Sequence, residues 1–185
     1  MSYFAAAVAR GAAGWTAAEV DLTGAADLDE VADRLRDVDP DAELALLFVE
    51  SDDTYLAILR LDEGEDLRIF GSDSAFAEES RIGALLVGDI KAPALEIDAV
   101  VEPDADEDAD DEDADDEDAD DEAEEPAVDP DADPVGDADV LADLGIPAPR
   151  LLALCAREGM LPADVVAEIC QALGCGDEVE ELREA

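Results

Sequence analysis

Histidine is absent from all 185 residues. That removes the commonest general base, the usual metal ligand and every Ser–His or Cys–His nucleophile pair. Thiols are the next candidates, and there are three: Cys155, Cys170 and Cys175. No CxxC occurs, and a zinc site would need a fourth ligand and tighter spacing. Cys155 and Cys170 fall on the apolar faces of expected helices, where a free thiol behaves as a small hydrophobe. Cys175 follows a helix end and is expected at the surface, with no basic neighbour to lower its pKa. An odd count without CxxC points to a reduced, cytoplasmic compartment.

Carboxylates dominate the remaining chemistry. Asp and Glu number 55 against 10 Lys and Arg, a formal charge of −45. Pairs such as Asp52-Asp53 and Glu78-Glu79 are so common that pairing does not mark an acid–base site, and they read as solvated loop and helix surface. The run Glu102 to Asp133 holds 21 carboxylates and no basic residue, with DEDAD repeated at 106–110, 111–115 and 116–120. Asp104, Asp106 and Asp108 match positions 1, 3 and 5 of a calcium loop. Ala109 stands where that loop needs Gly and Asp115 where it needs Glu, and flanking helices are missing. Diffuse cation condensation is expected there, without a specific calcium site. GAAG at 11–14 is neither GxGxxG nor a Walker sequence. Arg34, Arg36, Arg60, Arg68 and Arg81 could converge in three dimensions, but isolated surface ion pairs are the stronger expectation. The residues therefore name no catalytic, cofactor-binding or metal-ligating position, and a non-enzyme without a cofactor is expected.

The elements that would position these residues follow from periodicity. Residues 3–9 and 15–22 read as strands, with Gly11 and Gly14 bracketing a hairpin turn. Asp27 is suited to cap a helix, with Glu30 three residues on as in a capping box. Leu28, Val31, Ala32, Leu35 and Val38 form its apolar stripe, and Asp39-Pro40-Asp41 ends it. Segments 44–49, 55–61 and 67–70 follow as an antiparallel meander, the first apolar enough to be buried on both faces. Residues 73–80 read as a short helix, 82–87 as its continuation or a second helix, and 94–101 as an edge strand.

Beyond the acidic run the pattern is helical. Val140, Leu141 and Leu144 form a short apolar face ended by Gly145. Pro147 and Pro149 bar helix until about residue 150, Leu151 to Cys155 begin a second helix, and Val165 to Leu173 stripe a third, with Gly174 at its C-cap. The expected class is α+β. It comprises an antiparallel sheet with packed helices over 1–101, a disordered acidic linker over 102–134 and a small helical bundle over 135–185. Dense like charge with nothing apolar to bury makes the linker a solvated tether.

Charge also bounds the partners. Nucleic-acid phosphate and anionic membrane are disfavoured, because binding there relies on Lys and Arg. A basic protein surface is the natural counterpart. No apolar stretch is long enough to cross a membrane, and the N-terminus lacks the basic n-region of a secretory signal.

Several segments carry a resemblance: YFAAAVAR and GWTAAEVDL near the start, LALLFVESDDTYLAILRLD with RIFGSD, and DADVLADLGIPAPRLLALCAREGMLPADVVAEICQALGC at the end. Together they are similar to the bacterial family of tRNA adenosine deaminase-associated proteins, and the likeness spans nearly everything except the acidic run. The resemblance implies a role beside the enzyme that makes wobble inosine in tRNA, and it carries over no active-site residue. The zinc deaminase pattern, a His or Cys ligand beside a Glu and then PCxxC, is missing in both halves. The implied function is a non-catalytic accessory or regulator of the deaminase. The alternative is an acidic nucleic-acid mimic, or a chaperone-like binder of basic proteins in general.

Overall fold

In the computed structural model, which describes residues 3–51, 54–76, 80–88, 90, 133–157 and 159–184, the N-terminal segments pair as an antiparallel sheet. β1 (Tyr3–Gly11) turns through Ala12 and Ala13 into β2 (Gly14–Glu19). Gly14 takes a φ of +123°, which a side chain would resist. β3 (Leu44–Ser51), β4 (Tyr55–Asp62) and β5 (Asp66–Gly71) follow as the expected meander. The order across the sheet is β2-β1-β3-β4-β5-β6, where β6 (Val135–Gly136) comes from beyond the acidic run. Every residue of β3 is buried, in keeping with its unbroken apolar sequence and its position inside the sheet.

Strand alternation sorts the side chains into two layers. Ala5, Ala7, Leu47, Val49, Leu59 and Leu61 face one side. α1 (Leu28–Arg36) and α2 (Arg81–Val87) cover that side, with Val20, Leu22 and Phe76 filling between them. Asp27 caps α1 by accepting from the Glu30 amide at 3.0 Å, and Glu30 reaches back to the Ala26 amide at 2.6 Å. The helix stops at Arg36, so Val38 lies past its end. Ser80 caps α2 through the Gly83 amide at 2.8 Å.

The opposite face, with Ala6, Val8, Leu46, Phe48, Ile58 and Phe70, is covered from the C-terminal segment. That segment contributes a 3₁₀ turn (Ala142–Leu144), α3 (Ala148–Cys155), α4 (Pro162–Leu173) and α5 (Gly176–Glu184). Val140, Leu141, Ile146, Leu151, Val165, Val166 and Ile169 belong to one apolar cluster with those strand residues. The helices expected over 135–185 are present, and their apolar side chains pack against this face of the sheet. Three short helices cannot enclose a core by themselves, whereas the bare sheet face needs a cover. α3 also starts at Ala148, before Pro149, because a proline in the first turn costs no intrahelical hydrogen bond. The apolar run 140–144 makes a 3₁₀ turn ended by Gly145 at φ +92°.

The chain leaves and re-enters the described fold on one side. A Cβ on Gly71 would sit 3.0 Å from Val135 Cγ1 and 3.1 Å from Val87 Cγ1, so the residues flanking the acidic run meet beside β5. The expected edge strand 94–101, linker residues 102–132 with the calcium-like positions, Asp52-Asp53 and Glu78-Glu79 lie outside the described residues, as does part of the expected helix 73–80.

Candidate functional site

Among the described residues Arg60 is the one buried basic side chain, 6% exposed. It arises at an inward position of the alternating strand YLAILRLD, so its guanidinium must find partners within the fold. Its Nε donates to Asp62 Oδ2 at 2.9 Å, its Nη1 to the Val140 carbonyl at 2.9 Å and its Nη2 to Asp143 Oδ2 at 2.8 Å. Arg68 stands opposite on β5. Like charges in cross-strand register repel. Asp62 relieves this by accepting from Arg68 Nη2 at 3.2 Å as well, and Asp137 pairs with Arg68 at 3.6 Å. At the other end of the same face, Arg183 bonds Glu50 and lies 4.8 Å from the Phe4 ring centre.

These contacts join β3, β4 and β5 to residues 137, 140, 143 and 183. They form a polar clamp between the sheet and its C-terminal cover. The hydrogen bond from Arg60 holds the Asp143 carboxyl below the usual carboxylate range, against the effect of burial. The same bond holds Arg60 charged despite burial. Such a clamp fixes register and supplies no proton donor near neutral pH.

A second polar knot ties the segment after β2. Tyr3 donates to Asp21 Oδ1 at 3.0 Å and accepts from the Leu22 amide at 3.0 Å, and its oxygen lies 3.2 Å from the Thr23 hydroxyl. Arg34 donates to the Asp21 and Thr23 carbonyls. Hydrogen bonds from Thr23, and then from Tyr3, hold the Asp21 carboxyl below its usual range. A carboxylate so stabilised is a poor general base. An open cleft of about 400 Å³ adjoins Asp21, Arg34 and Asp37. It brings no nucleophile and base together.

All three cysteines are buried, including Cys175, which was expected at the surface. The correction comes from the sharp αL turn at Gly174, which folds residue 175 back beneath α4, where its amide bonds the Cys170 carbonyl at 2.9 Å. Burial pushes the Cys155 thiol up to about 12. A hydrogen bond to Cys175, and then burial, keep Cys170 protonated. The same hydrogen bond lowers the Cys175 thiol, so what shields all three from reaction is their burial. Tyr55 stacks on Phe76 with ring centres 3.7 Å apart, and among the described residues its buried hydroxyl has no hydrogen-bond partner. Desolvation raises its pKa, and Asp73 adds to the effect.

Of the five arginines singled out by sequence, the fold brings Arg60 and Arg68 together. It leaves Arg34 and Arg36 on α1 across the sheet and Arg81 at the start of α2. The expectation of isolated surface pairs is thus corrected for Arg60 and Arg68. Their partners Asp137 and Asp143 are distant in sequence, and the only available signal was an arginine at an inward strand position. Elsewhere Arg36 pairs with Asp33, and Arg157 with Glu168 at 3.9 Å. Arg10 stacks over Trp15 at 5.7 Å. Most described basic side chains thus engage the chain's own groups, while Arg81 and Arg150 stay exposed among a large excess of carboxylates. Among the described residues no cluster of three His, Cys, Asp or Glu could hold a metal, and no helix is long and apolar enough to cross a membrane.

A family model described as Rv3753c-like tRNA adenosine deaminase-associated protein matches residues 3–176. No curated protein and no solved structure matches the chain.

Proposed function

Because the chain belongs to the Rv3753c-like tRNA adenosine deaminase-associated protein family, we propose that it is a non-catalytic accessory of a tRNA adenosine deaminase in the cytoplasm. It docks on a basic surface of the enzyme. The observation that carries this reading is the distribution of charge. Five of the nine arginines, Arg36, Arg60, Arg68, Arg157 and Arg183, pair with the chain's own carboxylates, and with 55 Asp and Glu against 10 Lys and Arg the carboxylates left over dominate the surface. Such a surface repels tRNA phosphate and attracts the cationic face of a tRNA-handling protein. A sequence without histidine and without PCxxC lacks the zinc deaminase ligands, so the inosine chemistry stays with the partner.

Co-purification tests this. Tagged full-length chain, drawn from native lysate at physiological and raised salt, should retain the deaminase selectively at both. Recovery of many basic proteins, all released by salt, would refute selectivity and support a general binder of cations instead.

A further inference from the structure

We propose that the open edge of β2 is a docking site for an extended, lysine- or arginine-bearing segment of a partner protein, which adds to the sheet as a further strand. β2 is the first strand in the sheet order, and among the described residues nothing pairs with its outer side. The register identifies the free groups. The Val20 amide donates to the Ala5 carbonyl at 2.9 Å, and the pairing sets Ala7 opposite Ala18 and Ala9 opposite Thr16. Hydrogen-bonded pairs alternate along an antiparallel ladder. Ala18 and Thr16 therefore bond inward to β1, while the N–H and C=O groups of Trp15, Ala17 and Glu19 point outward.

Natural sheets guard such an edge with charge, proline or a bulge. This one has none of those over Gly14–Ala18, and residues 11–18 are uncharged in a chain that is 35% charged. The chemistry of the occupant follows from α5. Its Val179 and Leu182 pack into the cluster that includes Trp15 and Ala17. Arg183 reaches inward, over Phe4 of β1, to Glu50 of β3. At about 100° per residue, the flank opposite Arg183 carries Glu178 and Glu181. Helical geometry therefore turns that flank away from β1 and β3, toward the side of β2, where Glu19 also lies exposed. An added strand would gain main-chain hydrogen bonds from Trp15, Ala17 and Glu19, and its side chains on the α5 face would meet three carboxylates. A second copy of this chain would instead set two acidic α5 helices side by side. The chain's own residues 94–101 bring Glu96 and Asp98 and no basic residue, so they lack the charge that these carboxylates favour.

This inference rests on the reading that the chain docks on a basic partner, and its test uses no deaminase, so the two can fail separately. The probe is a ten-residue peptide of alternating valine and lysine at physiological salt. The second probe is the same peptide with alternate amides N-methylated, equal in charge but unable to complete the ladder. Trp15 is the sole tryptophan, so its fluorescence reads the site directly. The unmodified peptide should shift that fluorescence and protect the Trp15, Ala17 and Glu19 amides from exchange. N-methylation should weaken binding by about tenfold. Ala17→Pro removes an outward N–H without touching the β1 ladder, so it should keep the melting profile and weaken the peptide similarly. Equal binding of the two peptides, or no shift at Trp15, would overturn the proposal, whether or not Ala17→Pro folds.

Discussion

Replacing Arg60 with leucine should lower the unfolding free energy by about 2–3 kcal/mol, because Arg60 is the centre of the clamp between sheet and cover. Breaking a buried ion pair costs roughly 3–5 kcal/mol. Here the loss is smaller, since Asp143 is 57% exposed and stays hydrated, and Asp62 keeps Arg68. What remains is the unpaired Val140 carbonyl, the weakened hold on residues 137–144 and the half-neutralised Asp62. Asp143→Asn should cost about 1 kcal/mol, with most of the charge term screened by solvent. The pH dependence separates the two effects. The folded Asp143 carboxyl lies below its ordinary value of 3.8 because Arg60 bonds it. A depressed carboxylate contributes its full stability above the unfolded pKa and loses it as pH falls through the folded one. The gap between wild type and Asp143→Asn should therefore hold at pH 7 and pH 5 and close below about pH 4. Urea melts followed by Trp15 fluorescence and by circular dichroism give both quantities. The clamp argument fails if Arg60→Leu melts like wild type, or if the Asp143→Asn gap persists unchanged at pH 3.

The shared apolar cluster predicts one cooperative urea transition for residues 3–90 and 133–184 together, with fluorescence and dichroism coincident; two separated transitions would mean that the cover folds independently. Expressed alone, residues 1–101 should expose the Leu46, Phe48 and Ile58 face and bind a hydrophobic dye, and adding a 135–185 peptide should suppress that signal. Gly136→Ala should destabilise by about 2 kcal/mol or more. Gly136 holds a φ of +87°, and a Cβ there would overlap the Ile69 carbonyl oxygen; a thermal melt reads the loss. The three buried thiols should resist a disulfide reagent at pH 8 and react together on adding urea, and rapid reaction of any one in the native protein would contradict its burial. Deleting residues 104–125 should leave the dichroism melt unchanged, because that stretch contains nothing apolar but alanine to contribute to a core.

Local chemistry was legible from the residues. Asp27 with Glu30, the stripe Leu28 to Leu35, the fully apolar LALLFV and the hairpin glycines act over a few residues, and each produced the element expected of it. Family membership was legible as well, because it is carried by contiguous segments. So was the lack of any histidine-based site, since composition alone decides it.

What linear reading could not supply is how distant segments share surfaces. The acidic run looks like a boundary, yet Val135–Gly136 returns to extend the sheet beyond β5, and the helices after it close over Phe48 and Ile58. Cys175 looks exposed from its neighbours and is buried by the turn at Gly174. Arg60 looks like one charge among many and is the centre of a long-range network. The amino-acid order by itself determined the elements, the excess of negative charge and the absence of deaminase ligands. Only the tertiary fold decided that segments before and after the acidic run share one core, that Arg60 and Arg68 are drawn into a clamp with Asp137 and Asp143, and that nothing among the described residues pairs with the outer side of β2. A bare sheet face must be covered by whatever apolar surface is available, and residues far apart in sequence can supply it only once the chain has closed on itself.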